Sequence, residues 1–267
     1  MRVLFLGDIV GRAARQKVIE TLPELRAEFA CDAVIVNCEN AAGGFGVTPA
    51  ICDDLFAAGT DVLTTGNHVW DKAEITPYIQ NQPRLLRPAN MAREFPGQGH
   101  VIHQLPDGRR LGVINVMCNL FMAENDNMFA ALDKALEAMQ LGRDADFIFV
   151  DVHGEATSEK VATGLFCDGR ASAVVGTHTH IPTADLHILA GGTAYQTDAG
   201  MCGDYQSVIG MSADVAIGRF TGKKTGRLAV ASGEPTVCGV VIETDDNTGL
   251  AVKTQPVRRG GVLSQTD

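Results

Sequence analysis

Short apolar runs alternate with amphipathic stretches through the first two thirds of the chain. The apolar runs are VLFLG from Val3, AVIVNC from Ala33, VLTTG from Val62, LGVINVM from Leu111, FIFVDV from Phe147 and SAVVGT from Ser172. Helical periodicity marks the stretches 12–29, 48–57, 125–140 and 158–167. Short buried strands that alternate with helices form mainly parallel sheets. The pattern therefore predicts an α/β fold.

The last third of the chain has a different pattern. The segments TAYQTD from Thr193, RLAVA from Arg227, VCGVVIETD from Val237 and LAVKTQPVRR from Leu250 predict antiparallel strands, joined by turns such as 246–249. No repeat, low-complexity segment or Pro/Gly/Ser-rich linker divides the sequence. We therefore expect a single domain over residues 1–267, with an antiparallel second part.

Composition excludes several classes of protein. The chain has 267 residues and is 45% hydrophobic, which is enough for a sizeable core. No apolar stretch reaches the 18 or more residues of a transmembrane helix, so we expect no membrane span. The first apolar run is interrupted by Gly7 and Asp8, and it is too short for the apolar core of a signal peptide. A buried strand explains this run better.

Cysteine usage and charge indicate the compartment and the partners. The seven cysteines are odd in number and form no Cys-x-x-Cys pair, which predicts reduced thiols in a cytoplasmic protein. The net charge of −10 without clustered Lys and Arg predicts no extended nucleic-acid surface. An anionic substrate would therefore need a local source of positive charge, which bound metal cations could supply.

Polar side chains able to bind a metal stand at the ends of five of the predicted strands. These residues are Asp8, Glu39, Asn40, Asn67, His68, His153, His178 and His180. Ligands of open α/β sheets bind at the carboxyl ends of the strands. Any one of these residues alone has an ordinary explanation, such as a helix cap for Asp8 or a turn for Asn67. Their shared placement makes a common site the better interpretation.

The number and type of donors favour two metal ions. Without His68 the set holds seven side chains, whereas one tetrahedral ion takes three or four ligands. One of them, Glu39, is a carboxylate able to bridge two ions. Oxygen and imidazole donors favour iron or manganese, with zinc also acceptable. Alternation along a strand would point His178 and His180 to the same side.

Six motifs resemble those of the YmdB-like branch of the calcineurin-like metallophosphoesterases. They are GDIVG from Gly7, NCENAAGGFGVT from Asn37, TTGNHVWD from Thr64, DVHGEATSEK from Asp151, GTHTHIPTAD from Gly176 and TDAGMCGDYQSVIGM from Thr197. They occur in order between residues 7 and 211 and so cover most of the chain. The wider superfamily has Asp-x-His in its first motif, but here the third position is Val10. Glu39 replaces the usual bridging aspartate, and Asp204 stands where relatives have proline.

The resemblance implies a fold, a ligand set and an activity. The fold is a four-layer α/β/β/α sandwich with the metal site at the carboxyl ends of the strands. One ion would be held by Asp8, Glu39, Asn40 and His180, and the other by Glu39, Asn67, His153 and His178. The activity is a metal-dependent phosphodiesterase reaction, notably on 2′,3′-cyclic nucleotides, in which a metal-bridging hydroxide attacks the phosphorus.

His68 is the candidate catalytic residue beside the metal ligands. An imidazole can protonate the leaving oxygen near neutral pH and can stabilise the charge on the phosphoryl oxygens. Asp71 could orient His68, but Asp71 and Glu74 also resemble the start of a capped helix, and we favour the capping role. Trp70 is expected in the core. The glycine-rich segment 43–46 predicts a tight turn at the rim of the site.

Alternatives remain open at this point. A phosphomonoesterase would use similar donors, so the sequence does not separate monoester from diester hydrolysis. A regulatory or scaffold protein could also keep the metals while showing little turnover. The expected partner is a small phosphodiester such as a cyclic nucleotide, and homo-oligomer formation stays open.

Overall fold

The computed structural model describes residues 1–266 and contains eleven strands and six helices in that range. The order is β1 (Arg2–Leu6), α1 (Gly11–Glu28), β2 (Ala33–Asn37), α2 (Pro49–Ala57), β3 (Val62–Thr64), α3 (Ile75–Ile79), β4 (His100–Gln104), β5 (Arg110–Met117), α4 (Met128–Ala138), β6 (Phe147–His153), α5 (Thr157–Cys167), β7 (Ala173–Thr177), β8 (His187–Ile188), β9 (Ala194–Gln196), α6 (Ala213–Phe220), β10 (Val237–Thr244) and β11 (Ala251–Arg259). None of these helices is long and apolar enough to cross a membrane.

The strands form two sheets. The first has the order β11-β10-β1-β2-β3, and the second has the order β4-β5-β6-β7-β9-β8. Strands β1, β2 and β3 run parallel, and so do β5, β6, β7 and β9. Antiparallel strands complete the sheets: the β10–β11 hairpin in the first, and β4 and β8 at the edges of the second.

Three apolar clusters separate four layers. The first lies between the outer face of the first sheet and the helices α1 and α2, and includes Val34 and Leu55. The second joins the inner faces of the two sheets, where the rings of Phe5 and Phe149 lie 4.6 Å apart. The third packs the second sheet against α4 and α5. Side chains alternate between the faces of each buried strand, so each sheet supplies two of these clusters. The predicted α/β/β/α sandwich is confirmed.

The last third departs from the prediction in two places. Segment 193–198 contains β9, which runs parallel to β7 and antiparallel only to the two-residue strand β8. Segment 227–231 forms no strand; Val230 makes a single bridge to Met211. The strand predicted here from the alternation of apolar residues was wrong, because the segment lies on the surface and no strand of residues 1–266 runs alongside it. The predicted β10–β11 pair is present and antiparallel.

Topology brings the polar strand ends together. The carboxyl ends of β1, β2 and β3 in the first sheet meet those of β6 and β7 in the second. Asp151 of β6 joins the sheets below this edge, where it accepts hydrogen bonds from Asn37, Thr64 and Thr177 at 2.9, 2.5 and 2.7 Å. The predicted site therefore lies where the two sheets face each other, with a buried hydrogen-bonded anchor beneath it.

Candidate metal centre

The structure brings all seven predicted donors into one cluster. Two groups of carboxylate and imidazole atoms each lie within 4.8 Å of one another: Glu39 with His153 and His178, and Asp8 with Glu39 and His180. Glu39 belongs to both groups and is almost completely buried. Asn67 and Asn40 extend the groups, since Asn67 Oδ1 lies 2.9 Å from His153 Nε2 and Asn40 Nδ2 lies 3.3 Å from His180 Nε2.

Gly66 precedes Asn67 because the site allows no side chain there. A Cβ atom at Gly66 would lie 2.3 Å from both Glu39 Oε2 and His153 Nε2. Such contacts are far shorter than van der Waals separation, so any other residue would displace the donors. The glycine of the Gly66-Asn67-His68 motif is thus required by the closeness of the donor atoms.

His153 shows that the cluster has the character of a cation site. Its Nδ1 can donate to Thr177 Oγ1 at 2.9 Å, since the Thr177 hydroxyl itself donates to Asp151. The lone pair of His153 Nε2 then faces Asn67 Oδ1 at 2.9 Å, His178 Nδ1 at 3.1 Å and Glu39 Oε2 at 3.3 Å. Atoms that bind one metal ion lie about 3 Å apart. A bound cation would satisfy these converging acceptors.

Two oxygen atoms in the second donor group have no hydrogen-bond partner among the described residues. Asp8 Oδ1 and Asn40 Oδ1 are buried and accept no hydrogen bond there, although buried polar atoms are normally paired. His180 donates from Nδ1 to the carbonyl of Ile209 at 2.8 Å, which leaves the lone pair of Nε2 available to a metal. These atoms fit a second cation beside Glu39.

Burial raises the pKa of both carboxylates. The pKa of Asp8 rises to about 7 because burial, and then Asp198, disfavour its charged form. The pKa of Glu39 rises well above its usual range through burial and then through Asp8. Two buried carboxylates this close are unfavourable without positive charge, so a bound cation would stabilise their ionised forms.

Burial lowers the pKa of all three histidines. Desolvation comes first in each case, followed by neighbouring groups: His178 acts on His153, and His180 acts on His178, whose pKa falls to about 4. The imidazoles are therefore neutral at neutral pH, which is the form that binds metal ions.

His178 and His180 reach the cluster from a strained turn. We expected alternation along a strand to point both side chains the same way. Both reach the cluster, but β7 ends at Thr177, so strand alternation is not the reason. His178 and His180 have φ angles of 93° and 68°, a left-handed conformation that is rare without glycine. The surrounding contacts must hold such a backbone in place.

A buried ion pair supplies those contacts, and no local sequence pattern marks it. Lys160 of α5 donates to the carbonyl of Thr177 at 2.6 Å and to Asp198 Oδ2 at 2.9 Å. Asp198 also accepts from the backbone N–H and the hydroxyl of Thr179, at 3.1 and 2.7 Å. Both charged side chains are buried. The ion pair of Lys160 and Asp198 therefore holds the backbone of the turn in place.

His68 lies beside the cluster and contacts Asp71. Its backbone N–H donates to Glu39 Oε2 at 3.3 Å, and its Nδ1 lies 2.9 Å from Asp71 Oδ2. The predicted capping role of Asp71 was wrong: α3 begins only at Ile75, after Glu74, and has no side-chain cap. The chain makes turns over 68–74, so Asp71 turns back toward the imidazole.

Two further side chains near the cluster, Trp70 and Glu155, have modest roles. Trp70 packs against the core and stacks on Phe95, with ring centroids 5.2 Å apart. Glu155 is exposed, and its Oε2 lies 3.5 Å from His178 Nε2. The cluster opens into a cavity of about 400 Å³, lined on one side by Glu39, Asn40, His68, His178 and His180. The glycine-rich segment 43–46 forms the expected turn at the rim.

Comparison with known families agrees with this geometry. Residues 4–257 match the family model described as YmdB-like protein. The chain belongs to the YmdB-like family. Membership of this metallophosphoesterase-like family, together with the two donor groups, indicates a site for divalent metal.

Relatives of the YmdB-like family match this chain over nearly its whole length. A Bacillus subtilis (strain 168) protein named 2′,3′-cyclic-nucleotide 2′-phosphodiesterase is 44% identical over 257 residues, which cover 96% of each chain. The crystal structure of a hypothetical protein from Thermus thermophilus has a TM-score of 0.89 and 38% identity, and covers 98% of this chain and 100% of that one. A crystal structure described as a novel phosphatase from Mycoplasma pneumoniae has a TM-score of 0.88 and 33% identity, and covers 100% of this chain and 94% of that one.

Proposed function

We propose that this protein is a binuclear metal-dependent phosphodiesterase that hydrolyses small phosphodiesters such as 2′,3′-cyclic nucleotides. One observation carries the proposal: two donor groups share the buried Glu39 at the wall of an open cavity. The name of the Bacillus subtilis relative, 44% identical to this chain, supports the cyclic-nucleotide substrate.

The donors divide between two ions in the proposed enzyme. Asp8, Glu39, Asn40 and His180 would hold one ion, and Glu39, Asn67, His153 and His178 would hold the other. Oxygen and nitrogen donors favour iron or manganese and accept zinc. When bound, such ions neutralise phosphate charge and lower the pKa of a coordinated water. The neutral imidazoles are already in their metal-binding form, and a bound cation would stabilise the ionised form of the buried carboxylates.

His68 would serve the leaving group. Its Nδ1 is engaged by Asp71 at 2.9 Å, which orients the ring and leaves Nε2 for the substrate. A protonated Nε2 can donate to the oxygen that leaves the phosphorus, and its charge can stabilise the phosphoryl oxygens. Asp71 would therefore act by holding the ring in the orientation that this donation needs.

Phosphomonoester hydrolysis is the competing activity, because the Mycoplasma pneumoniae relative is described as a phosphatase. A metal-reconstituted activity screen separates the two. The diesterase proposal expects turnover of 2′,3′-cyclic nucleotides and bis(p-nitrophenyl) phosphate, with much slower release of phosphate from p-nitrophenyl phosphate. Faster turnover of the monoester would identify a phosphomonoesterase instead. Full metal loading without turnover of diesters or monoesters would favour a regulatory or scaffold role.

We also propose that the protein acts in the cytoplasm. All seven cysteines are buried, and none forms a disulfide within the described residues 1–266. Reduced thiols are typical of that compartment. Fractionation of cells followed by detection of the protein tests this placement.

A further inference from the structure

The cavity at the metal centre has two kinds of lining residue. Metal donors and His68 line it, and so do four apolar side chains: Phe45, Ile209, Met211 and Leu228. We call this second group the apolar shelf. Ile209 is 48% exposed, whereas Met211 is buried and Phe45 and Leu228 are half-buried. The shelf therefore presents apolar surface to the cavity.

Two residues of the apolar shelf contact the catalytic and metal-binding side chains directly. Phe45 contacts His68 edge to face, with ring centroids 5.0 Å apart. The carbonyl of Ile209 accepts the hydrogen bond from His180 Nδ1 at 2.8 Å. Gly44, with a φ of 93°, lets the turn before Phe45 approach Met211, because a Cβ there would lie 3.1 Å from Met211 Cε. The position of the shelf is thus fixed relative to the phosphate-binding groups.

Phosphate chemistry alone does not explain an apolar wall. Phosphate oxygens bind cations and hydrogen-bond donors, and they gain nothing from aliphatic or aromatic contact. Apart from the metal donors and His68, the polar side chains that line the cavity among the described residues are Thr179 and Glu155. A second anionic group of a substrate would find no Lys or Arg of residues 1–266 in the lining of the cavity. The part of the substrate that lies here is therefore uncharged, flat or apolar.

We propose that the apolar shelf binds the base of the nucleotide substrate by stacking and apolar contact, and that it discriminates little between bases. This inference rests on the proposed phosphodiesterase function. Every base has a π-face that stacks on an aromatic ring, whereas strong discrimination needs polar groups that a wrong base leaves unpaired. The cavity of about 400 Å³ is within the range of small-ligand sites.

The test compares substrates with and without a base. The four 2′,3′-cyclic nucleotides are assayed beside ribose 2,3-cyclic phosphate, which keeps the reacting phosphodiester and lacks the base. Wild-type kcat/KM should be similar, within about tenfold, for the four nucleotides and lower for the baseless compound. Phe45→Ala and Leu228→Ser should lower kcat/KM for the nucleotides by about tenfold, mainly through KM, and much less for the baseless compound.

The matched control is Ile217→Ala. Ile217 is an apolar side chain on α6 that is 53% exposed and does not line the cavity. This substitution should leave kcat/KM unchanged for every substrate. Leu228→Ser separates base binding from any effect that Phe45→Ala has on His68.

Three results would overturn the proposal. Equal losses on nucleotides and on the baseless compound in both variants would show that the shelf supports the reaction and does not bind the base. Preference of the wild type for one base by about a hundredfold or more would show polar readout. If the metal-loaded wild type hydrolyses neither class of substrate, the proposed function fails as well. If it hydrolyses both with equal kcat/KM, the base-binding proposal fails and the phosphodiesterase function stands.

Discussion

Asn67 and His68 are adjacent in the chain, but their side chains reach different parts of the site. Asn67 Oδ1 lies 2.9 Å from His153 Nε2, inside the donor cluster, whereas His68 Nδ1 lies 2.9 Å from Asp71 at the cavity wall. His68→Ala should keep both metals and lose about 10²–10⁴-fold in kcat on a diester with a poor leaving group. Asn67→Ala should lower the metal content instead. Metal analysis and kinetics on both variants check this.

The choice of leaving group identifies what His68 does. A nitrophenolate leaving group needs little protonation, so the loss caused by His68→Ala should shrink on bis(p-nitrophenyl) phosphate. Equal losses on good and poor leaving groups would mean that His68 stabilises phosphoryl charge and another group is the acid. Loss of metal from His68→Ala would mean that it is a ligand or a structural support.

Asp71 should act only through His68. Asp71→Ala should slow the reaction on poor leaving groups by less than His68→Ala does, with unchanged metal content. The double variant Asp71→Ala/His68→Ala should be no slower than His68→Ala alone, because residues in one hydrogen-bonded unit are not additive. Additive losses in kcat would contradict a positioning role and indicate an independent task for Asp71.

The sequence predicted the site residues correctly where the end of a strand determines their position. Asp8, Glu39, Asn67 and His153 each follow or end a buried strand, so the topology alone brings them together. Asp71 was predicted wrongly because the spacing to Glu74 also matches a capping motif. The decision depended on whether the helix begins after Asp71 or after Glu74, and helix boundaries are the least reliable part of a sequence prediction.

The turn after β7 depends on an element that is distant in sequence. Lys160 of α5 and Asp198 are 38 residues apart, and together they hold the backbone of Thr177 and Thr179. A lysine in a helix is normally exposed, so no local pattern marks Lys160 as buried. This contact could be found only from the folded structure.

Breaking the pair should destabilise the fold and loosen the metal centre. Lys160→Met leaves Asp198 buried without its cation, which should cost about 3–5 kcal/mol of the free energy of unfolding. It should also weaken metal binding, because His178 and His180 depend on this turn. Lys134→Met is the matched control, since Lys134 is an exposed lysine of α4. Denaturant unfolding and metal titration measure both effects, and metal affinity equal to wild type would contradict the positioning role.

Elements with one strong periodicity were predicted, and those set by tertiary pairing were not. α1, α2 and the buried parallel strands agree with their sequence patterns within one or two residues. β4 was missed because its residues alternate between exposed and half-buried positions, which leaves no apolar run. Parallel pairing of β9 with β7 depends on chain topology, and its sequence contains no information about direction.

At the scale of the whole molecule, the two sheets meet at the metal centre, so metal binding should couple to stability. The pKa of Asp8 is about 7 in the fold, against an ordinary value of 3.8. An acid whose pKa is raised by folding stabilises the fold below its unfolded pKa, and this contribution is lost as the pH rises to about 7. The contribution of Asp8 to the stability of the metal-free chain should therefore be lost across this window, and added metal should offset the loss.

Urea unfolding of the metal-free chain at several pH values measures this coupling. Asp8→Asn should reduce the pH dependence, because the amide does not titrate. Above the raised pKa of Asp8, the metal-free variant should be at least as stable as the metal-free wild type, whereas added metal should stabilise the wild type more. Identical pH dependence of the two metal-free chains would contradict a destabilising carboxylate at position 8.

The metal content of the reconstituted protein tests the central claim most directly. Elemental analysis after anaerobic reconstitution with iron or manganese should give about two ions per chain. Because Glu39 belongs to both donor groups, Glu39→Gln should weaken both sites together. A stable content of one ion per chain with full activity, or loss of a single ion from Glu39→Gln, would contradict a binuclear centre bridged by Glu39.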